Sequence, residues 1–171
     1  VAFELLSHSK QLAADLKTDL TAVLFGSDLA RQAAKLIYGG ADTVLLSDDP
    51  ALAGLPEDEC TRLLTDLVRR YQPDIFLFGA TAFGRSVAPR VAARIGTGLT
   101  ADCTGLAIQP ETGLLLQTRP AFGGNLMATI VTEHHRPQMA TVRPGVLKAS
   151  LPDHARSGAI RRVAPPLPTG R

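Results

Sequence analysis

Apolar positions along the first hundred residues alternate between two patterns. Leu5, Leu12 and Leu16, with Ala13 beside them, form a stripe with helical spacing. The run TAVLFG, residues 21–26, then reads as a buried strand. Leu29, Ala33, Leu36 and Ile37 return to one helical face, and Gly39-Gly40 ends it. DTVLLS predicts a second strand. Pro56, Glu57, Asp58 and Glu59 open a third helix with a proline and acids where the dipole favours them. Its apolar stripe is Cys60, Leu63, Leu64, Leu67, Val68 and Tyr71, and Pro73 closes it. DIFLFGA is a third buried strand, and a fourth helix runs to Gly96.

Short apolar strands alternating with helices predict crossover units and a parallel sheet with helices on both faces. A parallel sheet also calls for a strand ahead of the first helix. The chain opens on Val1 without a methionine, so a leader or a leading strand is expected to belong before it. After Gly96 the pattern turns rich in β-formers, proline and glycine. TADCTGLAI, LLLQTR, NLMATIV and QMATVR read as strands, with SGAIRRVA a last short one. These predict antiparallel additions to the sheet. The fold class is therefore α/β, a Rossmann-like parallel sheet extended by antiparallel strands in the C-terminal half. The expected organisation is one scaffold domain over residues 1–150. Residues 151–171 then form a short strand and a linker ending in APPLPTGR.

Composition narrows the function classes. The chain is 45% apolar and 20% charged with a net charge of +2, which is ordinary for a globular domain. No basic stripe interleaved with aromatics points to nucleic acid. No apolar run approaches the ~18 residues of a membrane span. Cys60 and Cys103 stand far apart without a CxxC partner, so small buried thiols in a reducing compartment are expected rather than a disulfide or a zinc site. With arginine favoured over lysine, the expected location is a bacterial cytoplasm.

The segment FLFGATAFGRSVAPRVAARIG carries the main candidate chemistry. A strand ends at Phe78, a loop runs from Gly79 to Arg85, and Ser86 is the expected N-cap of a helix with Pro89 in its first turn. Ligands of open α/β sheets bind at the carboxyl ends of strands, where helix N-termini offer free N–H groups. Thr81, Arg85 and Ser86 are therefore weak anion-site candidates, lining a shallow depression. The alternative is a plain strand-to-helix loop with Arg85 in a surface ion pair. His134-His135 reads as a solvated loop rather than a metal site. Asp102-Cys103-Thr104 lies in a strand, where successive side chains diverge, so it makes no nucleophile cluster. Arg119, Arg136 and Arg143 lie in or beside strands, as partner contacts or as cover for a sheet edge.

QPETG, residues 109–113, is a hairpin turn, so Gly123 and Gly124 fall on the return strand. Glycine within a strand marks a bulge or a close backbone approach, and Pro120 interrupts the ladder just before it. A bend is expected over residues 119–125, with at least one glycine at positive φ. The strand then resumes through Met127 and Ile130.

PDIFLFGATAFGRSVAPRVAARIGTGLTADCTGLAI, LLLQTRPAFGGNLMATI and RPQMATVRPGV closely resemble the amino-terminal domain of the electron transfer flavoprotein alpha subunit. The resemblance covers the chain from about the first helix to Val146. It implies a heterodimer with the beta subunit, and FAD as the redox centre of the full-length pair. Electrons would pass from acyl-CoA dehydrogenases or related flavoenzymes to a downstream acceptor. Most FAD contacts in that family belong to the alpha subunit's carboxy-terminal domain, so no cofactor is expected on this chain and no catalytic residues of its own. Ser86 departs from the aspartate usual in the family. The resemblance makes the bend, with Arg119, Phe122, Gly123, Gly124 and Asn125, a candidate interface to the beta subunit or the FAD domain. The competing expectation is a stand-alone adenine-nucleotide-binding module of the same superfamily.

Overall fold

The computed structural model describes residues 1–121 and 126–164. Helix α1 (Ala2–Leu16) leads to strand β1 (Thr21–Gly26), α2 (Ala30–Tyr38) and β2 (Thr43–Asp48). After a short 3-10 turn come α3 (Glu57–Tyr71), β3 (Ile75–Gly79) and α4 (Ala82–Ile95). Then follow β4 (Leu99–Cys103), β5 (Gly105–Ile108), β6 (Leu115–Pro120), β7 (Met127–Ile130), β8 (Gln138–Val142) and β9 (Ala159–Arg162). The order of helices and strands is the one expected from the periodicity.

Local chemistry sets the helix boundaries. α3 begins after Pro56 with three acids in its first turn and two arginines in its last, each opposing the dipole charge at its end. α4 stops at Gly96, which adopts the left-handed conformation at φ 73° that a side chain would oppose.

The strands form three ladders. β2 lies between β1 and β9, β8 lies between β3 and β4, and β6 lies between β5 and β7. The first two ladders are wholly parallel and the third is antiparallel. The α/β class with a parallel sheet and an antiparallel extension therefore stands. The assignment of every strand after Gly96 to that extension does not. β4, β8 and β9 run parallel with the early strands, and TADCTGLAI breaks at Thr104 into β4 and β5, which serve different ladders. Asp102, at φ 61°, opens that break, and the β4 register slips between Thr100 and Cys103. Placing β8 centrally explains its composition: every residue of QMATV is buried, as a strand covered on both faces requires.

Three apolar clusters hold the layers together. Cys60, Leu63 and Leu64 of α3 and Val87 and Val91 of α4 meet Phe78 and Met139 on one face. Leu6 of α1 joins Ala33, Ile37, Val44 and Leu46. Leu12 of α1 joins Cys103, Leu106, Leu115, Ala140 and Val142. Helices α1 and α2 thus cover one face, and α3 and α4 the other.

The QPETG turn forms as expected, closing β5 onto β6 with Gly113 at φ 70°. The expected bend after Pro120 is instead a chain reversal. β7 runs antiparallel to β6, with Pro120 opposite Met127, and the Ala121 amide donates to the Leu126 carbonyl at 2.8 Å. The strand does not resume along its old direction, because β6 already has β5 on its other side and β7 takes its open edge. The glycine conformations expected at Gly123 and Gly124, and the positions of Phe122 and Asn125, lie outside the described residues.

Candidate functional site

β3, β8 and β4 end together, and α4 starts at the same edge. Thr81 caps α4: its hydroxyl accepts from the Gly84 amide at 3.2 Å. The expected cap, Ser86, lies a full turn inside the helix, so Pro89 is interior rather than in the first turn. The cause is the fit of Gly84 onto the strand end. A Cβ at that position would sit 1.9 Å from the Gly79 carbonyl oxygen, so only glycine lets the first turn start here. Ser86 is also separated from Thr81 and Arg85 in orientation, because its hydroxyl donates to the Glu57 carboxylate on α3.

Arg85 stays at the edge. Its Nε donates to the Ala80 carbonyl at 2.9 Å, and its terminal nitrogen reaches an Asp102 oxygen at 3.4 Å. Arg143, immediately after β8, holds the same carboxylate more closely, with an Nη2 contact of 2.7 Å and Nε contacts of 3.3 Å. The Asp102 amide donates to Thr141 Oγ1 at 2.9 Å, and the Arg143 amide donates to the Cys103 carbonyl at 2.9 Å. These bonds close the register slip of β4 against β8.

The charges follow from this geometry. The Arg143 hydrogen bonds, helped by the fields of Arg143, Arg85 and Arg119, hold the Asp102 carboxyl below its usual range against the opposing effect of burial. Burial chiefly drives the neighbouring Cys103 thiol up to about 11; Arg119 offsets part of this, and the Asp102 charge adds to the rise. Cys60 is raised chiefly by burial as well. Both cysteines are free and buried, as expected. The site is thus a carboxylate clasped by two arginines with a third nearby. It has no poised base and no activated thiol.

Of the sequence candidates, Thr81 and Arg85 share this edge and Ser86 faces away. Asp102 and Arg143 were not paired by sequence reasoning. They stand 41 positions apart, and the separate runs that hold them carry no signal that they meet. The left-handed Asp102, a residue type that tolerates αL, is a weak local signal. His134 lies 3.7 Å from the Glu133 carboxylate, and Arg136 is paired with Asp74 and three nearby carbonyls. No group of three metal-ligating side chains occurs among the described residues.

A second surface lies on the antiparallel ladder. Arg119 is half-buried on β6 opposite Ala128. On and beside the adjoining edge strand β7, Leu126 is 67% exposed and Met127 57%, with Ile130 and Val131 also exposed. These large apolar side chains lie together at an open strand edge.

The model of the electron transfer flavoprotein domain matches residues 1–168 of this chain. The electron transfer flavoprotein subunit alpha of Thermoanaerobacterium thermosaccharolyticum is 48% identical over 94% of the chain and 48% of its own length. That of Clostridium acetobutylicum is 51% identical over 86% of the chain and 44% of its own length. The lactate dehydrogenase (NAD(+),ferredoxin) subunit LctC of Acetobacterium woodii is 46% identical over 87% of the chain and 35% of its own length. The chain therefore spans about half the length of the first two relatives or less. It belongs to the electron transfer flavoprotein family.

Proposed function

We propose that this chain is the amino-terminal scaffold domain of an electron transfer flavoprotein alpha subunit. It supports electron transfer through an FAD carried by the complete heterodimer. The observation that supports this is the internal use of Thr81, Gly84 and Arg85 at the sheet edge. Thr81 caps its own helix, Gly84 donates to Thr81, and Arg85 is committed to Ala80 and Asp102. This internal use supports a reading in which the redox group is carried elsewhere in the full-length protein. The chain then acts as a positioning body rather than a catalyst.

The apolar β7 edge beside Arg119 supports an interface with the beta subunit or with the flavin-carrying domain. Phe122, Gly123, Gly124 and Asn125 adjoin it in sequence. Electron donors are acyl-CoA dehydrogenases or related flavoenzymes. The relative named as a subunit of a lactate dehydrogenase widens that class beyond acyl-CoA substrates. A bacterial cytoplasmic location goes with this reading, and no helix among the described residues is long and apolar enough to cross a membrane.

The test is spectroscopic and calorimetric. The purified chain is expected to be colourless, and the full-length heterodimer to carry flavin. Titration of the chain with AMP, ATP and FAD is expected to give no tight binding. A dissociation constant in the low micromolar range, about −8 kcal/mol, would favour the nucleotide-binding module instead.

A further inference from the structure

Between β8 and β9 the chain forms no helix or strand over residues 143–158. It runs along the surface. Of residues 144–163, only Leu147, Arg156 and Val163 are half-buried, and all the others are exposed, the four of β9 included. Yet β9 takes a place in the parallel ladder beside β2, whose Val44, Leu45 and Leu46 are buried.

The ties that hold this segment are mainly polar. The Gly145 amide donates to Glu4 Oε2 at 2.8 Å and the Ser150 amide to Ser7 Oγ at 2.9 Å, both on α1. At the end of α2, the Asp153 amide donates to the Tyr38 carbonyl at 2.9 Å, and the His154 ring lies 4.9 Å from the Tyr38 ring. Arg156 pairs with Asp42, and its Nε reaches the Ala41 carbonyl at 3.4 Å. Leu147 is the side chain of this segment that packs into a core cluster. Gly158 then passes so close to the start of β2 that a Cβ there would lie 2.8 Å from the Asp42 carbonyl oxygen and 2.7 Å from Ile37 Cδ1. Few buried apolar contacts and exposed hydrogen bonds are the properties of a segment that opens at low cost.

We propose that residues 144–163 are a strap that lifts as one unit while the rest of the chain stays folded, turning β2 from an interior strand into an open edge. The ladder identifies the amides that report this opening. The Ala159 and Val163 amides donate to the Asp42 and Leu46 carbonyls at 2.8 and 2.9 Å. Bonds of a parallel pair alternate along each strand, so the Val44 and Leu46 amides face β9. The Leu45 and Ser47 amides face β1, in phase with the Asp49 amide, which donates to the Gly26 carbonyl at 2.9 Å. Lifting the strap frees the first pair and leaves the second pair bonded. Unfolding of the whole chain frees both.

This inference is independent of the electron-transfer reading. The experiment is native-state hydrogen exchange of the 171-residue chain, read by NMR at low urea concentrations. The amides of Val44, Leu46, Asp153, Ala159 and Val163 are expected to share one level of protection. That level should lie about 100-fold or more below that of Leu45, Ser47 and β8, with a smaller urea dependence. Arg156→Gln is expected to speed exchange of this group about 10-fold, because a half-buried charged hydrogen bond is lost. Gly158→Ala should speed it about 30-fold by overpacking against the Asp42 main chain. Neither change should move Leu45, Ser47 or β8. Should Gly158→Ala fail to fold, Arg156→Gln gives the same readout. Arg136→Gln, which breaks the exposed pair with Asp74 just before β3, is the control and should leave the group unchanged. Equal protection and equal urea dependence for Val44 and Leu45 would overturn the proposal. So would exchange of Ala159 and Val163 at rates unlinked to those of Val44, Leu46 and Asp153, which would be fraying rather than the lifting of a unit.

Discussion

Gly84→Ala offers a test in which helix propensity and tertiary fit predict opposite signs. Within an exposed helix, alanine is better than glycine by about 1 kcal/mol. At this position the added Cβ would lie 1.9 Å from the Gly79 carbonyl oxygen and 3.1 Å from its carbon. An ordinary carbon–oxygen contact is about 3.3 Å or more, so roughly 1.4 Å must be made up. The obstacle is backbone in a paired strand, which cannot swing aside. The first turn of α4 must therefore lift, loosening Val87, Ala88 and Val91, all fully buried, from the core. Overpacking of this kind costs about 3 kcal/mol, and the propensity gain leaves a net loss of about 2 kcal/mol. In a domain of this size that lowers Tm by about 4–8 °C. Urea unfolding and differential scanning calorimetry on wild type and variant measure it directly. Gly96→Ala is the comparison: φ is 73° there, but nothing lies within 4 Å of the new Cβ, so only the left-handed strain of about 1–2 kcal/mol remains. A Gly84→Ala protein as stable as wild type, or more stable, would refute the close-approach argument and leave propensity as the deciding effect.

Asp102→Asn keeps the left-handed backbone but removes the charge clasped by Arg143 and Arg85. A carboxyl held below its usual range contributes stability that is fully present above about pH 4 and is lost as pH falls through its folded value. Wild type is therefore expected to lose stability on acidification more steeply than Asp102→Asn, and acid-titrated unfolding curves check this. Asp102→Ala should be worse than Asp102→Asn at neutral pH by about 1 kcal/mol, since alanine lacks asparagine's tolerance of αL. Cys103, buried with its thiol up to about 11, should resist alkylation at pH 8 in the folded chain and react after unfolding, as read by mass spectrometry. Met127→Lys, on an exposed edge, should leave the melting temperature within about 1 °C of wild type. In the full-length protein the same change should weaken heterodimer assembly, measured by sedimentation.

The alternation of helix and strand, the parallel layer and the QPETG hairpin were legible in the sequence because they rest on local patterns. A 3.6-residue stripe, a short apolar run or a proline followed by acids acts within a few residues of itself. The family was legible too, from its sequence runs. Tertiary structure decided what links distant segments. Nothing within residues 138–142 says that they insert between strands at 75–79 and 99–103, since parallel pairing carries no turn to announce it. The helix start was misplaced for the same reason. Thr81 and Ser86 are both acceptable caps by local rules, and the choice fell to Gly84 against the Gly79 carbonyl. Asp102, Arg85 and Arg143 converge only because three strand ends and one helix share an edge. The half-exposure of β1 and β3, which their apolar runs did not predict, arises because burial depends on neighbours across the sheet as well as on the strand's own residues.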